Sequence, residues 1–335
     1  AFLQKKESLL WGWIFTVIVA IWLGLRPISA RYFGDMASYA RIYNSLSSEH
    51  IGIDLETEWL WNSLGAICHL LNFSTQMYFV VVALLYTLCA FAALRILIPK
   101  KPLTSLVLIC GSLMFFSFAT NGLRNGLACH ISMLAFALFL KDKKISGVLL
   151  AFLAYGVHHS VGIPIAAFVA SLFIYRRPHW ALYIWLLSII ASLFLGNSVT
   201  GFIEQLSFDD RLSQYTSLEQ GGLGTTFSRY GFRWDFLLYS AMPIALGYYT
   251  IMKRRITDNW YSVFFSTYCL ANAFWVIFIR AAFSNRFAYL SWFLYPVMIA
   301  YPLFILNIWP NQDKNIGLII MLYVGFTAFM QFIYW

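Results

Sequence analysis

Long apolar runs separated by short polar stretches make up most of this chain of 335 residues. Many of the runs are about 15–22 residues long, which is the length that a helix needs to cross a hydrocarbon core of about 30 Å. The pattern predicts an all-α polytopic membrane protein in which residues 1–335 form a single integral membrane domain. Eleven membrane-crossing helices are predicted, at residues 9–25, 77–98, 103–120, 122–140, 145–158, 161–175, 180–196, 234–252, 258–279, 286–306 and 316–335.

Three stretches do not fit a simple alternation of crossing helix and short turn. The apolar run 59–73 is short and begins with tryptophans, which predicts a re-entrant or interfacial helix. Residues 26–58 and 197–233 are much longer than the other connections, and loops of that length tend to be functional. Both are predicted to be outer loops, and the glycines of the second predict a hinge in a mobile loop over the outer face.

The distribution of charge gives the predicted helices an orientation. If Lys5 and Lys6 are cytoplasmic, the cytoplasmic stretches hold 14 basic and 4 acidic residues, whereas the outer stretches hold 9 basic and 10 acidic residues. An excess of basic residues is the usual mark of cytoplasmic loops. A full crossing at 59–73 would invert every later stretch and remove this bias, so the pattern favours eleven crossings.

Composition excludes a soluble globular protein and changes the meaning of the net charge. Apolar side chains make up 61% of the chain and charged ones 11%, with a mean hydropathy of +0.70, whereas a soluble domain carries about a quarter charged residues. The net charge of +9 adds two membrane faces together, so it does not indicate a nucleic-acid partner. The five cysteines lie in apolar segments without metal or disulfide spacing and are predicted to be packing residues.

The two predicted faces also differ in the kind of basic residue. All nine lysines fall on the cytoplasmic side, and all nine outer basic residues are arginines. Lysine and arginine serve orientation equally well, so orientation alone does not explain this separation. Arginine holds phosphate or carboxylate in one geometry through its rigid fork of donors. The outer arginines therefore predict either contacts to an anionic ligand or ion pairs with the ten outer acids.

Four predicted outer turns carry ionisable side chains at a similar depth. Such groups are costly near hydrocarbon and usually mark a substrate path, so an anionic, amphipathic and membrane-borne ligand is predicted. A lipid-linked pyrophosphate fits, with arginines to bind it and a histidine or carboxylate to accept a proton. The adjacent histidines could instead belong to a surface turn, and His130 is predicted to be a packed, hydrogen-bonded side chain. The candidate residues are Arg31, Asp35, Tyr39, Arg124, His158, His159, Arg233, Arg280 and Arg286.

Short motifs along most of the chain follow a known pattern. They are Gly34-Asp-Met-Ala-Ser-Tyr39, Leu123-Arg-Asn-Gly-Leu-Ala128, Lys141-Asp-Lys-Lys144, Tyr155-Gly-Val-His-His-Ser160, Arg233-Trp-Asp235 and Asn285-Arg-Phe287. By these motifs the chain resembles the EpsG family of Wzy-type polysaccharide polymerases. Arg124 and His158 fall on the characteristic arginine and histidine of that family, within the most specific segment, 123–160.

The resemblance implies a glycosyltransferase of GT-C-like architecture in a bacterial inner membrane, with an active site that faces the periplasm or the cell exterior. It implies polymerisation of O-antigen, capsule or exopolysaccharide repeat units. A glycan would pass from undecaprenyl pyrophosphate to the non-reducing end of another lipid-linked repeat unit. No cofactor is predicted, and the resemblance implies a chain-length regulator as a partner in addition to the lipid bilayer.

The predicted reaction is a metal-independent displacement with inversion. No His-x-x-x-His, Cys-x-x-Cys or Asp-x-Asp spacing offers a dedicated metal site. Arg124, Arg280 and Arg286 are predicted to bind the pyrophosphates, with Arg233 as a weaker candidate. His158 is predicted to be either the base or a phosphate ligand.

Alternatives remain open for the base and for the function. Asp35, positioned by Arg31 or Tyr39, competes with His158 for the role of base, and His159 is a further substrate-binding candidate. A flippase or transporter of lipid-linked oligosaccharide would also need arginines, but on a path open to both faces. An O-antigen ligase and a membrane acyltransferase are enzymatic alternatives. The one-sided set of outer arginines favours an enzyme over a transporter.

Overall fold

The chain folds into helices. The computed structural model describes residues 2–204, 231–280 and 284–334, and no strand occurs within these ranges. The all-helical prediction is thereby confirmed for the described residues. Most of the predicted outer loop 197–233 lies outside them.

The helices belong to two compact units. The first comprises residues 1–165 and 299–335, and the second comprises residues 166–298. The boundaries between the units fall within the helices α10 and α15. In chain order the helices are α1 (Leu9–Gly24), α2 (Ala30–Phe33), α3 (Met36–Asn44), α4 (Trp59–Leu70), α5 (Thr75–Leu97), α6 (Pro102–Cys110), α7 (Leu113–Thr120), α8 (Leu123–Leu140), α9 (Lys144–Val157), α10 (Gly162–Ile174), α11 (His179–Glu204), α12 (Trp234–Tyr248), α13 (Asn259–Ile277), α14 (Asn285–Trp292), α15 (Tyr295–Phe304) and α16 (Gln312–Phe329).

The prediction of membrane-crossing helices is confirmed in part. Three helical stretches among the described residues are long and apolar enough to cross a membrane, and a bent pair, α6 with α7, makes a fourth if it is one span. The predicted number of eleven is not confirmed, since the four other apolar stretches found among the described residues are 10–17 residues long and 17 helical residues extend only about 26 Å. The three long stretches are Thr75–Leu97, Leu123–Leu140 and Asn285–Phe304, and the shorter apolar helices are Leu9–Gly24, Lys144–Val157, His159–Ile174 and His179–Phe194.

The predicted span 103–120 consists of two helices, α6 and α7, bent by 70°. Glu7, which precedes α1, accepts a hydrogen bond of 2.8 Å from the amide of Leu103 at the start of α6. Arg26, which follows α1, donates to the carbonyl of Ala119 near the end of α7. The bent pair therefore begins beside one end of α1 and ends beside the other, as a broken span does.

The first unit gathers the predicted cytoplasmic stretches at one end. The Leu3 amide donates to Asp313 Oδ1 at 3.2 Å, and the Glu7 amide donates to the Lys100 carbonyl at 3.0 Å. The turns around Arg26 and the start of α8, both predicted to be outer, lie at the opposite end of α1. This grouping agrees with the orientation predicted from charge, although which end faces the cytoplasm stays a prediction.

A buried polar cluster joins helices of the second unit. The Asn272 side chain on α13 accepts a hydrogen bond from Trp185 Nε1 at 2.8 Å and donates to the hydroxyls of Ser240 and Ser291 at 3.2 and 2.9 Å. Trp292 Nε1 donates to Ser240 at 2.6 Å. Polar contacts of this kind hold helices together where lipid offers no hydrophobic driving force.

Candidate active site

A glutamate bridges an arginine and a histidine at the predicted outer end of the first unit. Glu58 Oε2 accepts a hydrogen bond from Arg124 Nη1, and Glu58 Oε1 pairs with His158 Nδ1. The Glu58, Arg124 and His158 side chains are 16%, 19% and 14% exposed. Partial removal from water strengthens such charge-assisted bonds. These three side chains form the Glu58 cluster.

The hairpin of α8 and α9 brings Arg124 and His158 together. Arg124 lies in the first turn of α8, and His158 directly follows α9. A short turn joins the two helices, and its Asp142 has a φ of 62°. The beginning of α8 therefore lies beside the end of α9, as in other antiparallel helix hairpins.

Glu58 reaches this hairpin because α4 packs against α9. Trp59 is buried, and its ring centroid lies 5.8 Å from that of Phe152. A Cβ atom at Gly156 would lie 2.5 Å from Trp59 Cε2, so only glycine permits this approach. The helix α4 has 12 residues, or about 18 Å, which is too short to cross a hydrocarbon core and agrees with a re-entrant or interfacial helix.

Gly156→Ala is expected to lower the thermal unfolding midpoint of the purified protein. The added methyl group must displace the Trp59 ring, and overpacking of this kind costs about 1–3 kcal/mol, more than the gain of about 1 kcal/mol in helix propensity. Gly162→Ala is the matched control, since its Cβ would meet Tyr155 at an ordinary 3.5 Å. A Gly156→Ala midpoint at or above that of the control would show that Trp59 does not pack here.

The second histidine holds the backbone beside Glu58. His159 Nε2 lies 3.0 Å from the Thr57 carbonyl oxygen, so this nitrogen carries the proton and donates. The His159 ring stacks on Tyr155 with centroids 4.6 Å apart. The adjacent histidines thus fix the same segment in two ways, His158 through the Glu58 carboxylate and His159 through the main chain.

The first outer loop lies beside the start of α8. The buried Tyr39 ring has its centroid 5.7 Å from Arg124 Cζ. The Asp35 amide donates to Asn121 Oδ1 at 2.9 Å. Gly34 has a φ of 53°, and a Cβ there would lie 2.5 Å from the same Oδ1 atom. The structure therefore brings Tyr39 against Arg124 and anchors the Asp35 backbone at the turn that precedes it.

Burial and charge act in opposite directions on Glu58. Desolvation by itself would raise the pKa of the Glu58 carboxyl. The hydrogen bond with His158, together with the charges of His158 and Arg124, outweighs desolvation and lowers this pKa below its ordinary value. Glu58 is therefore ionised at neutral pH and can orient both partners.

His158 contacts Glu58 through Nδ1, which leaves Nε2 as the ring nitrogen that can accept a proton. When the imidazole is neutral, Nδ1 carries the proton that is donated to the carboxylate, so the lone pair is on Nε2. Among the described residues, Nε2 has no hydrogen-bond partner. Arg124 Nε is buried and also has no partner within this part of the chain. The cluster can thus accept a proton at Nε2 and bind an anion through Arg124.

Comparison with protein-family models shows to which family a chain with this cluster belongs. The model of the EpsG family matches residues 10–335. The chain belongs to the EpsG family. Because this is a family of Wzy-type polysaccharide polymerases, membership suggests a membrane polymerase of glycosyltransferase type that acts on lipid-linked saccharides. Comparisons with curated proteins and with solved structures gave no match.

Two predicted arginines of this EpsG protein lie in the second unit, and each is beside a phenylalanine ring. Arg233 Nη2 and Nε pair with Asp235 at 2.6 and 2.9 Å, and Arg233 Cζ lies 3.7 Å from the ring centroid of Phe236. Arg280 Cζ lies 5.7 Å from the ring centroid of Phe232, the residue before Arg233. Pairing with an outer acid was one of the two alternatives for the outer arginines, and it is observed for Arg233 as well as for Arg124.

The other two predicted arginines lie on α2 and α14. Arg31 is exposed on α2, with Cζ 5.5 Å from the Tyr32 ring centroid, and makes no ion pair within the described residues. Arg286 is the second residue of α14. Residues 281–283, most of the predicted outer turn before it, lie outside the described residues.

Glu58 is the one cluster residue that the sequence prediction missed. The charge pattern distinguishes Glu58 only as one of the ten predicted outer acids. The available signal was its position directly before the apolar run 59–73, at the same predicted depth as Arg124 and His158. A carboxylate there is a natural partner for two cationic side chains near hydrocarbon.

Proposed function

We propose that this EpsG protein transfers a glycan from undecaprenyl pyrophosphate to the non-reducing end of another lipid-linked repeat unit. The observation that carries the proposal is the Glu58 cluster, in which one carboxylate holds both characteristic residues of the family motif, Arg124 and His158. A simple surface turn has no need of this shared partner. The reaction would take place at the outer face of a bacterial inner membrane, where the charge-based orientation puts the cluster.

His158 is the base in the proposed reaction. An acceptor hydroxyl gives its proton to Nε2 while its oxygen bonds to the anomeric carbon of the donor sugar. The bond from that carbon to the pyrophosphate oxygen breaks on the opposite side, so undecaprenyl pyrophosphate leaves with the electron pair and the configuration inverts. Glu58 holds the imidazole in the required tautomer and stabilises the imidazolium that forms. General-base catalysis of this kind contributes about 10²–10⁴-fold.

Arg124 is proposed to bind the pyrophosphate. Only its Nη1 bonds to Glu58, and its buried Nε has no partner within the described residues. The ionised Glu58 and Arg124 cancel, so protonation of His158 leaves the cluster with one net positive charge as the leaving group becomes more negative. A preorganised charge of this sign stabilises the transition state.

The prediction that Arg280, Arg286 and Arg233 bind pyrophosphate stays a proposal for the second unit taken by itself. Arg280 Nε is buried without a partner among the described residues, and Arg233 and Arg286 are the additional candidates. The described part of the chain holds no group of three His, Cys, Asp or Glu side chains placed to bind a metal. We propose that the reaction is independent of metal ions, and EDTA in the assay tests this separately.

The proposal is tested by polymerisation with purified components. The protein is incubated with undecaprenyl pyrophosphate-linked repeat units and EDTA, without nucleotide sugar, and the products are separated on a gel. A ladder of increasing chain length is expected. The absence of a ladder, together with transfer of the lipid-linked unit across liposome membranes, would make the protein a transporter. Products formed only when a lipid A core acceptor is supplied would make it a ligase.

Arg124→Lys is expected to slow ladder formation about tenfold although it preserves the charge. Lysine is a point charge, and it cannot hold Glu58 and a phosphate oxygen with the fixed fork of a guanidinium. Arg41→Lys is the matched control, since Arg41 is exposed and is not among the candidate residues, and it should leave the rate near that of the unchanged protein. The initial rate of ladder formation is the measurement, and equal rates for both variants would remove Arg124 from pyrophosphate binding.

A further inference from the structure

A second cationic site lies at the other end of α8, away from the Glu58 cluster. A cavity of about 420 Å³ there is lined by three cations, Lys6, Arg95 and Lys141, and by apolar side chains that include Leu9, Leu134 and Leu138. We call it the basic pocket. Since α8 has 18 residues, about 27 Å separates its two ends, so the basic pocket and the Glu58 cluster are distinct sites.

The three cations of the basic pocket come from three separate elements. Lys6 precedes α1, Arg95 lies in the last turn of α5 and Lys141 caps the end of α8. The fold therefore brings together like charges that are far apart in sequence. Like charges repel one another, and because all three side chains are exposed, an anion can reach all three and would lower this repulsion more than solvent screening alone does.

Three acidic side chains lie in this region: Asp142 is exposed beside Lys141 and makes no ion pair within the described residues, and the other two are engaged elsewhere. Glu7 accepts hydrogen bonds from the amides of Leu103 and Thr104 at 2.8 and 3.1 Å, and Asp313 accepts one from the Leu3 amide at 3.2 Å. Within the described residues, none of the three ion pairs includes a cation of the basic pocket. The Arg95 guanidinium lies over the Trp13 ring, with Cζ 5.2 Å from its centroid.

Helix dipoles account for only part of this arrangement. Arg95 and Lys141 lie at C-terminal helix ends, where the dipole favours a cation. Lys6 lies next to the N-terminal end of α1, where the dipole disfavours a cation and favours an anion. An anion in the basic pocket would be attracted by this end of α1 and by all three side chains.

The position of the basic pocket indicates the kind of anion. It lies at the end of α8, one of the stretches long and apolar enough to cross a membrane, which is the depth of lipid phosphates. Basic pockets between membrane helices on the cytoplasmic side bind anionic lipid head groups. The leucines of the pocket provide an apolar surface for the chain region of such a lipid, which a free anion would not need.

We propose that Lys6, Arg95 and Lys141 form a binding site for the phosphate of an anionic phospholipid, at the membrane face opposite the Glu58 cluster. This site does not depend on the proposed polymerase reaction. It requires only that α8 crosses the membrane. Its role would be to hold the ends of α1, α5 and α8 together through a shared ligand.

The test compares lipid retention by the purified full-length protein in phosphatidylcholine nanodiscs with and without phosphatidylglycerol. Native mass spectrometry should show phosphatidylglycerol retained in preference to phosphatidylcholine, and added phosphatidylglycerol should raise the thermal unfolding midpoint. The triple variant Lys6→Gln, Arg95→Gln, Lys141→Gln should bind phosphatidylglycerol at least about tenfold more weakly. The variant Lys144→Gln, Arg177→Gln, Lys253→Gln removes the same charges elsewhere and should retain it.

Any one of three other results would overturn the proposal. Equal retention by both triple variants would show a general effect of charge and no site. If inorganic phosphate stabilises the unchanged protein as much as phosphatidylglycerol does, the ligand is a free anion. If the basic-pocket variant does not fold, the single variant Lys141→Gln is measured instead, and unchanged retention by it would also reject the site.

Discussion

His158→Ala is expected to lower the rate of polymer formation by at least about 100-fold while the protein remains folded in the membrane. The substitution removes Nε2, the proposed proton acceptor, and leaves the Glu58 carboxylate with Arg124 as its remaining partner in the cluster. The measurement is the initial rate of ladder formation by purified protein. Immunoblots of membrane fractions and the thermal unfolding midpoint establish that the variant is present and folded.

His159→Ala is the matched control, one residue along the same turn. It removes a hydrogen bond to the Thr57 carbonyl and a stacking contact with Tyr155, so a loss of less than about tenfold is expected. Equal losses for both variants would mean that the turn as a whole is needed and that His158 has no special role. A near-normal rate for His158→Ala would move the base to Asp35, and Asp35→Asn would then be expected to abolish the ladder.

The positions of the helices could be predicted because each helix corresponds to an apolar run whose hydropathy and length can be read directly from the sequence. The predicted run 122–140 corresponds closely to α8, Leu123–Leu140, and the break between α4 and α5 was also expected. The bend within 103–120 could not be predicted in the same way. Apolar residues continue through Gly111, so the hydropathy pattern is unbroken where the backbone turns by 70°.

The sequence predicted at which membrane face the candidate site lies, but it did not predict which side chains contact one another. Arg124, His158 and Tyr39 were expected at one membrane face, and the structure places Tyr39 against Arg124. The bridge made by Glu58 depends on the approach of Trp59 to Gly156. That contact joins residues far apart in sequence, and no local sequence pattern indicates it.

The prediction of a packed, hydrogen-bonded His130 needed only local information, because its Nδ1 lies 2.9 Å from the Gly126 carbonyl oxygen of the preceding helical turn.

Glu58→Gln is expected to lower the turnover number for polymerisation on the order of 10²–10⁴-fold with a smaller change in KM. Glutamine keeps the shape of the side chain but loses the charge that orients the His158 imidazole and stabilises its protonated form. Glu56→Gln is the matched control, because Glu56 is exposed in the same segment and should retain normal turnover. If Glu58→Gln retained the turnover of this control, Glu58 would have no part in the reaction.

The same variant has a dependence on pH that follows from the lowered pKa of Glu58. A carboxyl whose pKa is lower in the folded than in the unfolded protein stabilises the fold fully above its ordinary pKa. That contribution is lost as the pH falls through the lowered value. The unchanged protein should therefore unfold at a higher temperature than Glu58→Gln at neutral pH, and the difference should close only in buffers more acidic than the ordinary glutamate pKa. A difference that closed between neutral and weakly acidic pH would contradict an ionised Glu58, because its contacts with Arg124 and His158 hold the carboxylate charged throughout that range.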